Sequence, residues 1–550
     1  MVQRGHFLDA QSAKDDGRAC DAEEDACEEV SSCSTLRQML AALARSMPKS
    51  AYTPMESSAR PDTSTLAAAD FDVDVRSGFL PPEPPISRLD GPHYDVRTHA
   101  ASIEPSFWED MLAWGKAIPI RVGAQYDNAE QTKEAHVWHS AIRAMPVCMP
   151  SGAFLSDIRR ARRACLVLAF LSHMYIHAQP DLGQYEQDEH KAEEIARVKR
   201  SRHGAEGKDD FVSRLPASLA VPWKLVNEQL GLPPVLTYAT TVLWNWALED
   251  PAAGMQLSNL RILETFTDTE SEAHFYRISL LIELQGVEAI TLMRISLNEA
   301  FARDALAYQR LASYLTELAA TIKKLTRLLA DMYTGCDPMT FYHEIRPWFK
   351  AGDSMWSYEH GVRRSGWLLE GAEQEWVNWT GPSAGQSTLI HALDLFLDVD
   401  HARRKRGAEY DGNSSDTSFM ERMQAYMPRY HREFLRHLQY GIQVEPVSGS
   451  LRADGAVETS DHPIRSMALL SSLDNADHAL VQAYDAALQA LRSFRDEHMR
   501  IATRYIVKPA KAAAAEEIRG TGGTALIRFL SDCRTNTTNA MVKRHIHNAP

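Results

Sequence analysis

Residues 311–332, LASYLTELAATIKKLTRLLADM, decide the fold class. Apolar side chains recur at Leu311, Leu315, Leu318, Ile322, Leu325, Leu329 and Met332, in alternating steps of four and three. Such steps keep one stripe of a 3.6-residue helix turned toward a core. Gly335 closes the segment, because glycine accepts the left-handed backbone of a helix stop. A second stripe, Leu480, Tyr484, Leu488, Leu491, Phe494, His498, Ile501 and Tyr505, repeats the pattern and predicts a helix that Pro509 stops. Strand-type alternation bounded by turns is nearly absent. The chain is read as all-α.

Working outward, residues 1–80 are rich in Ala, Ser, Asp and Glu and show little periodicity, so a disordered tail is expected there. Pro81-Pro82-Glu83-Pro84-Pro85 forms a stiff boundary. Helical patterning begins at Ile86, and two polar insertions interrupt it, at about 187–208 and 400–418. The expected organisation is a small N-terminal helical domain over 86–262, a large helical domain over 266–530, and a C-terminal tail over 531–550.

The chain has 550 residues, 44% hydrophobic and 24% charged, with a formal net charge of -14. That acidity repels phosphate backbones and argues against a nucleic-acid partner. The seven cysteines are scattered and form no CxxC pair, which disfavours structural zinc or a disulfide framework. No apolar run approaches the ~20 residues of a membrane span, and the N-terminus has no signal-peptide pattern. A cytoplasmic monomer is expected.

Several separate motifs follow one another. They are Leu215-Pro216-Ala217-Ser218-Leu219-Ala220-Val221-Pro222-Trp223, then Leu232-Pro233-Pro234-Val235-Leu236-Thr237-Tyr238, then Val242-Leu243-Trp244-Asn245-Trp246. Phe275-Tyr276-Arg277-Ile278-Ser279 comes next, and then residues 337–347, DPMTFYHEIRP. Gly381-Pro382-Ser383-Ala384-Gly385-Gln386-Ser387, the segment 425–435 (AYMPRYHREFL) and Gly520-Thr521-Gly522-Gly523-Thr524 complete the series. In this order the motifs resemble those of indoleamine 2,3-dioxygenases, from about 86 to about 530.

The resemblance implies a two-domain helical fold with haem b between the domains. It also implies that ferrous haem and O2 cleave the indole C2–C3 bond of L-tryptophan or a related indoleamine, giving N-formylkynurenine, with an electron donor keeping the iron reduced. His431, just past Pro428 at a helix start, matches the proximal iron ligand. His437 lies roughly 240° around that helix and cannot share its pocket. His498 sits where family members tend to carry a histidine, but its apolar stripe reads as core packing. Asp394 matches an acid that orients the ligand or a propionate.

On the substrate side, Phe341, Tyr238 and Phe275 match the walls of an indole slot, and Ser279 a small position near the bound gas. Arg346 matches the cation for the substrate carboxylate, a role suited to a guanidinium fork. Ser383 and Ala384 match the strip along the haem edge, and Thr521 belongs to a glycine-rich lid. No general base is sought. Pro382 and Thr241 depart from the family pattern, Thr241 by bringing a hydroxyl toward the slot. His173 and His177 have the i, i+4 spacing of a helical metal pair but lack a third ligand. The competing reading is a haem-binding O2 carrier or low-turnover paralogue. Loss of residues 1–80 is expected to leave haem and activity intact.

Overall fold

The protein is described from a computed structural model covering residues 71–91, 104–118, 120–124, 126–179, 212–359, 362–371, 374–401, 418–451, 457–473, 478–513 and 526–542. The expected polar insertion at 187–208, that at 400–418 apart from its ends, and the glycine-rich loop with Thr521 lie outside these residues.

The described chain is mostly helical. In the first part, α1 (Ser106–Ala117), α2 (Ala129–Ala144), α3 (Ile158–His177) and α4 (Ala217–Leu230) pack together. Asp157 caps α3 by accepting from the amides of Arg159 and Arg160, satisfying two orphan donors of its first turn. From Ala161 to His177 every residue of α3 is buried, including Arg163, which meets Glu109 on α1 at 2.6 Å and Glu264 at 2.7 Å. An arginine this deep requires paired carboxylates, and these bonds tie α1 to α3.

Three long helices form the larger core: α5 (Glu270–Ala302), α6 (Ala305–Ala330) and, much later in the chain, α10 (His478–Ala502). Arg303, at φ 51°, turns the chain between α5 and α6, and Asp304 caps α6 through the Ala307 amide at 2.7 Å. The first predicted stripe is the buried face of α6: Leu311, Leu315, Leu318, Ile322 and Leu325 are fully buried. Truncating one of these leucines to alanine would cost about 2–5 kcal/mol. The helix stops at Ala330, and Met332 belongs to a separate turn, Met332–Gly335. Around the long helices stand α7 (Thr388–Phe396), α8 (Arg429–Tyr440), α9 (Pro463–Leu473) and α11 (Leu526–Asn539).

The second stripe departs from its reading at the C-terminal end. Pro509 does not stop α10. The helix ends at Ala502, a π-helical turn follows (Thr503–Val507), and Pro509 then sits in the first turn of Lys508–Ala512, where its missing N–H leaves no intrahelical bond unmade.

Short strands are also present. Arg214–Leu215 pairs in parallel with Trp367–Leu369, which pairs antiparallel with Glu375–Val377. Three two-stranded ribbons join Trp246–Leu248 to Leu260–Ile262, Trp356–Glu359 to Val362–Ser365, and Val447–Leu451 to Val457–Ser460. Strands of two to five residues carry too little alternation to register in the sequence.

The expected tail is shorter than 1–80. Residues 71–80 are among those described, with Val73, Phe79 and Leu80 buried. Phe79 meets the ring of Phe434 at 5.3 Å, and Gly78, at φ 64°, lets the chain pass close to Ile290 and Val287 of α5. A few apolar side chains in a polar stretch suffice to dock it.

Candidate active site

One cavity gathers most of the residues singled out by sequence. Tyr238, Phe275, Ser279, Phe341, Ser383 and Ala384 all line it. The cavity volume is about 230 Å3.

Three π-helical turns shape the wall: Ala239–Leu243, which follows Tyr238, then Phe341–Ile345, and Thr503–Val507. Such turns insert an extra residue and are frequent at functional sites. The first brings Thr241 and Val242 to the cavity, the second Phe341, and the third Tyr505 and Ile506.

One wall of the cavity is aromatic. Phe341 stands edge-on to Phe275 at 5.0 Å and to Tyr505 at 5.8 Å. Edge-to-face contacts hold such rings in fixed orientation. The Tyr505 hydroxyl lies 2.9 Å from the carbonyls of both Met332 and Cys336, which share its one proton and hold the far end of the ring.

The strip 381–387 is anchored by Gln386, a residue the sequence reading did not single out. Its side-chain oxygen accepts from the Tyr238 amide at 2.8 Å, and its nitrogen donates to the Gly381 carbonyl at 2.9 Å. Ser383 caps the short turn Ala384–Gln386 by accepting from Gly385 N. The Thr241 hydroxyl donates to the Thr237 carbonyl at 3.1 Å. It is engaged by its own backbone rather than polarising the slot.

The histidine of this cavity is His498. It follows Phe494 and precedes Ile501 and Tyr505 on the second stripe, and all four side chains line the cavity, while the earlier members Leu480, Tyr484, Leu488 and Leu491 are buried in the core. The stripe is core for its first half and cavity wall for its second. His498 has no hydrogen-bond partner among the described residues. Burial, with Arg495 nearby, lowers its pKa to about 4, so the ring is neutral at pH 7 and keeps a lone pair to donate.

His431 does not line that cavity. It is buried on α8, with its ring 5.1 Å from that of Phe79, Nδ1 3.4 Å from the Thr388 hydroxyl, and Nε2 3.7 Å from the Asp72 carboxylate. Burial lowers its pKa to about 4 as well. Neutrality therefore does not distinguish the two histidines; position does. Sequence pattern points to His431 as the ligand and to packing for His498, whereas it is His498 that lines the cavity.

Asp394 is buried and pairs with residues other than His431. Its partners are Arg495, at 2.5 and 2.6 Å, and His401, at 3.0 Å. Burial alone would raise the carboxyl pKa; Arg495 and His401 reverse that and hold it well below the usual range. Arg495 itself lines the cavity, so Asp394 acts on the His498 side.

Arg346 is not on the cavity wall. Its amide bonds the Phe341 carbonyl across the π-helical turn, and its guanidinium stands 5.6 Å from the Tyr342 ring centre. Burial lowers its pKa. His173 and His177 are core residues. Nδ1 of His173 lies 3.2 Å from the Trp348 carbonyl, its Nε2 accepts from Leu236 N at 3.0 Å, and His177 bonds the Lys350 carbonyl at 2.8 Å. No cluster of three or more metal-ligating side chains occurs among the described residues, and no helix among them is long and apolar enough to cross a membrane.

The donor set fits an iron porphyrin: one neutral imidazole without another partner, in a largely apolar cavity flanked by an arginine. The family model described as indoleamine 2,3-dioxygenase matches residues 67–540. The indoleamine 2,3-dioxygenase of Saccharomyces cerevisiae is 27% identical over 84% of this chain and 91% of its own length. Indoleamine 2,3-dioxygenase 1 of Rattus norvegicus is 31% identical over 61% of this chain and 75% of its own. The 6-hydroxytryptophan 2,3-dioxygenase of Fusarium equiseti is 26% identical over 86% and 97%. With a match across most of its length, the chain belongs to the indoleamine 2,3-dioxygenase family, a family of dioxygenases.

Proposed function

We propose that this protein uses haem b and O2 to cleave the indole C2–C3 bond of L-tryptophan or a closely related indoleamine, giving N-formylkynurenine or its analogue. The observation that carries the reading is the convergence of Tyr238, Phe275, Ser279, Phe341, Ser383 and Ala384 with His498 on one cavity. Ferrous haem, when bound, supplies the site at which O2 is activated. His498 replaces His431 as the residue that holds the iron, because it lies where the substrate-side residues converge. Asp394 acts behind it by fixing Arg495.

The chain's own contribution is binding and orientation. Phe275, Phe341 and Tyr505 form a flat slot that excludes water and holds an indole ring in a reactive pose. Arg346, in i→i+5 register with Phe341 but set off the cavity wall, is the cation assigned to the substrate carboxylate in this reading. Thr521 of the glycine-rich sequence is included as a substrate-binding residue. A cellular electron donor, a cytoplasmic location and a monomeric state complete the reading, as does a division near 262–266 into a small and a large domain.

The relative named for 6-hydroxytryptophan marks the substrate's ring substituent as the variable feature of the reading. The purified protein with haem, a reductant and O2 should convert L-tryptophan to N-formylkynurenine. Reversible O2 binding with no turnover of tryptophan or hydroxytryptophans would favour the carrier reading instead.

A further inference from the structure

Glu283 on α5 is fully buried and has no cationic partner among the described residues. One of its oxygens, Oε1, accepts from the Tyr238 hydroxyl at 3.0 Å and from the Ser387 hydroxyl at 2.6 Å, while Oε2 has no partner. Tyr238 and Ser387 both line the cavity, and so does Ser279, one helical turn before Glu283 and close to the Tyr238 hydroxyl. A hydroxyl has one proton to give. With both protons directed at Oε1, Tyr238 and Ser387 keep only lone pairs, and where the Ser279 hydroxyl spends its proton on the Tyr238 oxygen it too is left with lone pairs for a ligand.

We propose that Glu283 is a positioning residue that makes this wall of the cavity a hydrogen-bond acceptor, so that the site selects ring systems bearing an N–H over the same rings carrying an N-methyl group. The inference rests on the proposed indole-cleaving reading and deepens it. Tyr238 cannot turn away to offer a donor, because Gln386 holds its amide while Glu283 holds its hydroxyl. A methyl on the ring nitrogen removes the donor and leaves two buried acceptors facing carbon. An unmade bond in such a place is expected to cost about tenfold in affinity.

The test is calorimetric binding of indole and of 1-methylindole to the haem-loaded protein, without turnover. The wild type should bind indole about ten times more tightly. Glu283→Met, which has no acceptor, should bring the ratio to near one, whereas Glu283→Gln, whose carbonyl can still accept both protons, should keep it. A methionine variant with the wild-type ratio, or a glutamine variant that loses it, would overturn the assignment. If the methionine variant does not fold, Tyr238→Phe takes its place: a lowered ratio supports the acceptor wall and an unchanged one refutes it. A wild type that binds neither compound overturns the substrate class, and one that binds both alike overturns the acceptor wall alone.

Discussion

Arg495 grips both carboxylate oxygens of Asp394, at 2.5 and 2.6 Å, three residues before His498 on the same helix. The pair is buried, so its geometry fixes that turn of α10 as it enters the cavity. Removing one partner leaves the other charge uncompensated in a poorly solvated place, which costs about 3–5 kcal/mol. Asp394→Ala should lower the thermal midpoint accordingly and weaken haem retention, measured by calorimetry and by haem titration.

Asp394 also holds His401 at 3.0 Å. Burial alone would lower the His401 pKa, but Asp394 outweighs it and raises the value to about 9. A histidine raised on folding adds stability that is full below its unfolded value of 6.5 and is lost as pH rises through 9. Thermal midpoints of the wild type should therefore fall between pH 6.5 and 9. His401→Gln should show a shallower slope across that window.

Glu283 has the opposite chemistry and the same sign of slope. Burial raises its carboxyl from 4.5 to about 7, with Ser387 and Tyr238 pulling it back only in part. The folded protein binds this proton more tightly than the unfolded chain, so stability falls as pH rises from 4.5 to about 7. The integrated effect is about 3 kcal/mol. Glu283→Gln should remove this component from a chemical-denaturation series across those pH values.

Residues 71–80 are part of the folded core, which revises the expected effect of truncation. Phe79 is 2% exposed and touches the rings of both His431 and Phe434. Phe79→Ala should cost about 3–5 kcal/mol. Deletion of residues 1–66, upstream of the family match, should leave haem content and thermal midpoint near wild type. Deletion of 1–80 should lower both.

Arg346→Ala should raise the KM for tryptophan about tenfold or more, the worth of a charge-assisted hydrogen bond, while the haem spectrum stays intact. Steady-state kinetics beside an absorbance spectrum check both halves of that expectation.

The long helices were legible because leucines at steps of three and four have one physical solution. The aromatic slot was legible through its motif neighbours. The proposed iron-binding position was not. His431 follows a helix-starting proline on an amphipathic segment, and His498 lies in an apolar stripe; both patterns announce burial, and neither tells packing from cavity wall. The stripe of α10 changes from core to wall between Leu491 and Phe494, where its neighbours, not its own residues, change. The π-helical turns left no trace, since one inserted residue disturbs no periodicity that a five-residue segment could display. Phe71 to Leu80 were hidden by their polar surroundings.

Haem content of two variants tests the central assignment most directly. His498→Ala, purified and supplied with haem, should lose the Soret band, while His431→Ala should keep it at wild-type intensity. A full Soret band in His498→Ala together with its loss in His431→Ala would contradict the account.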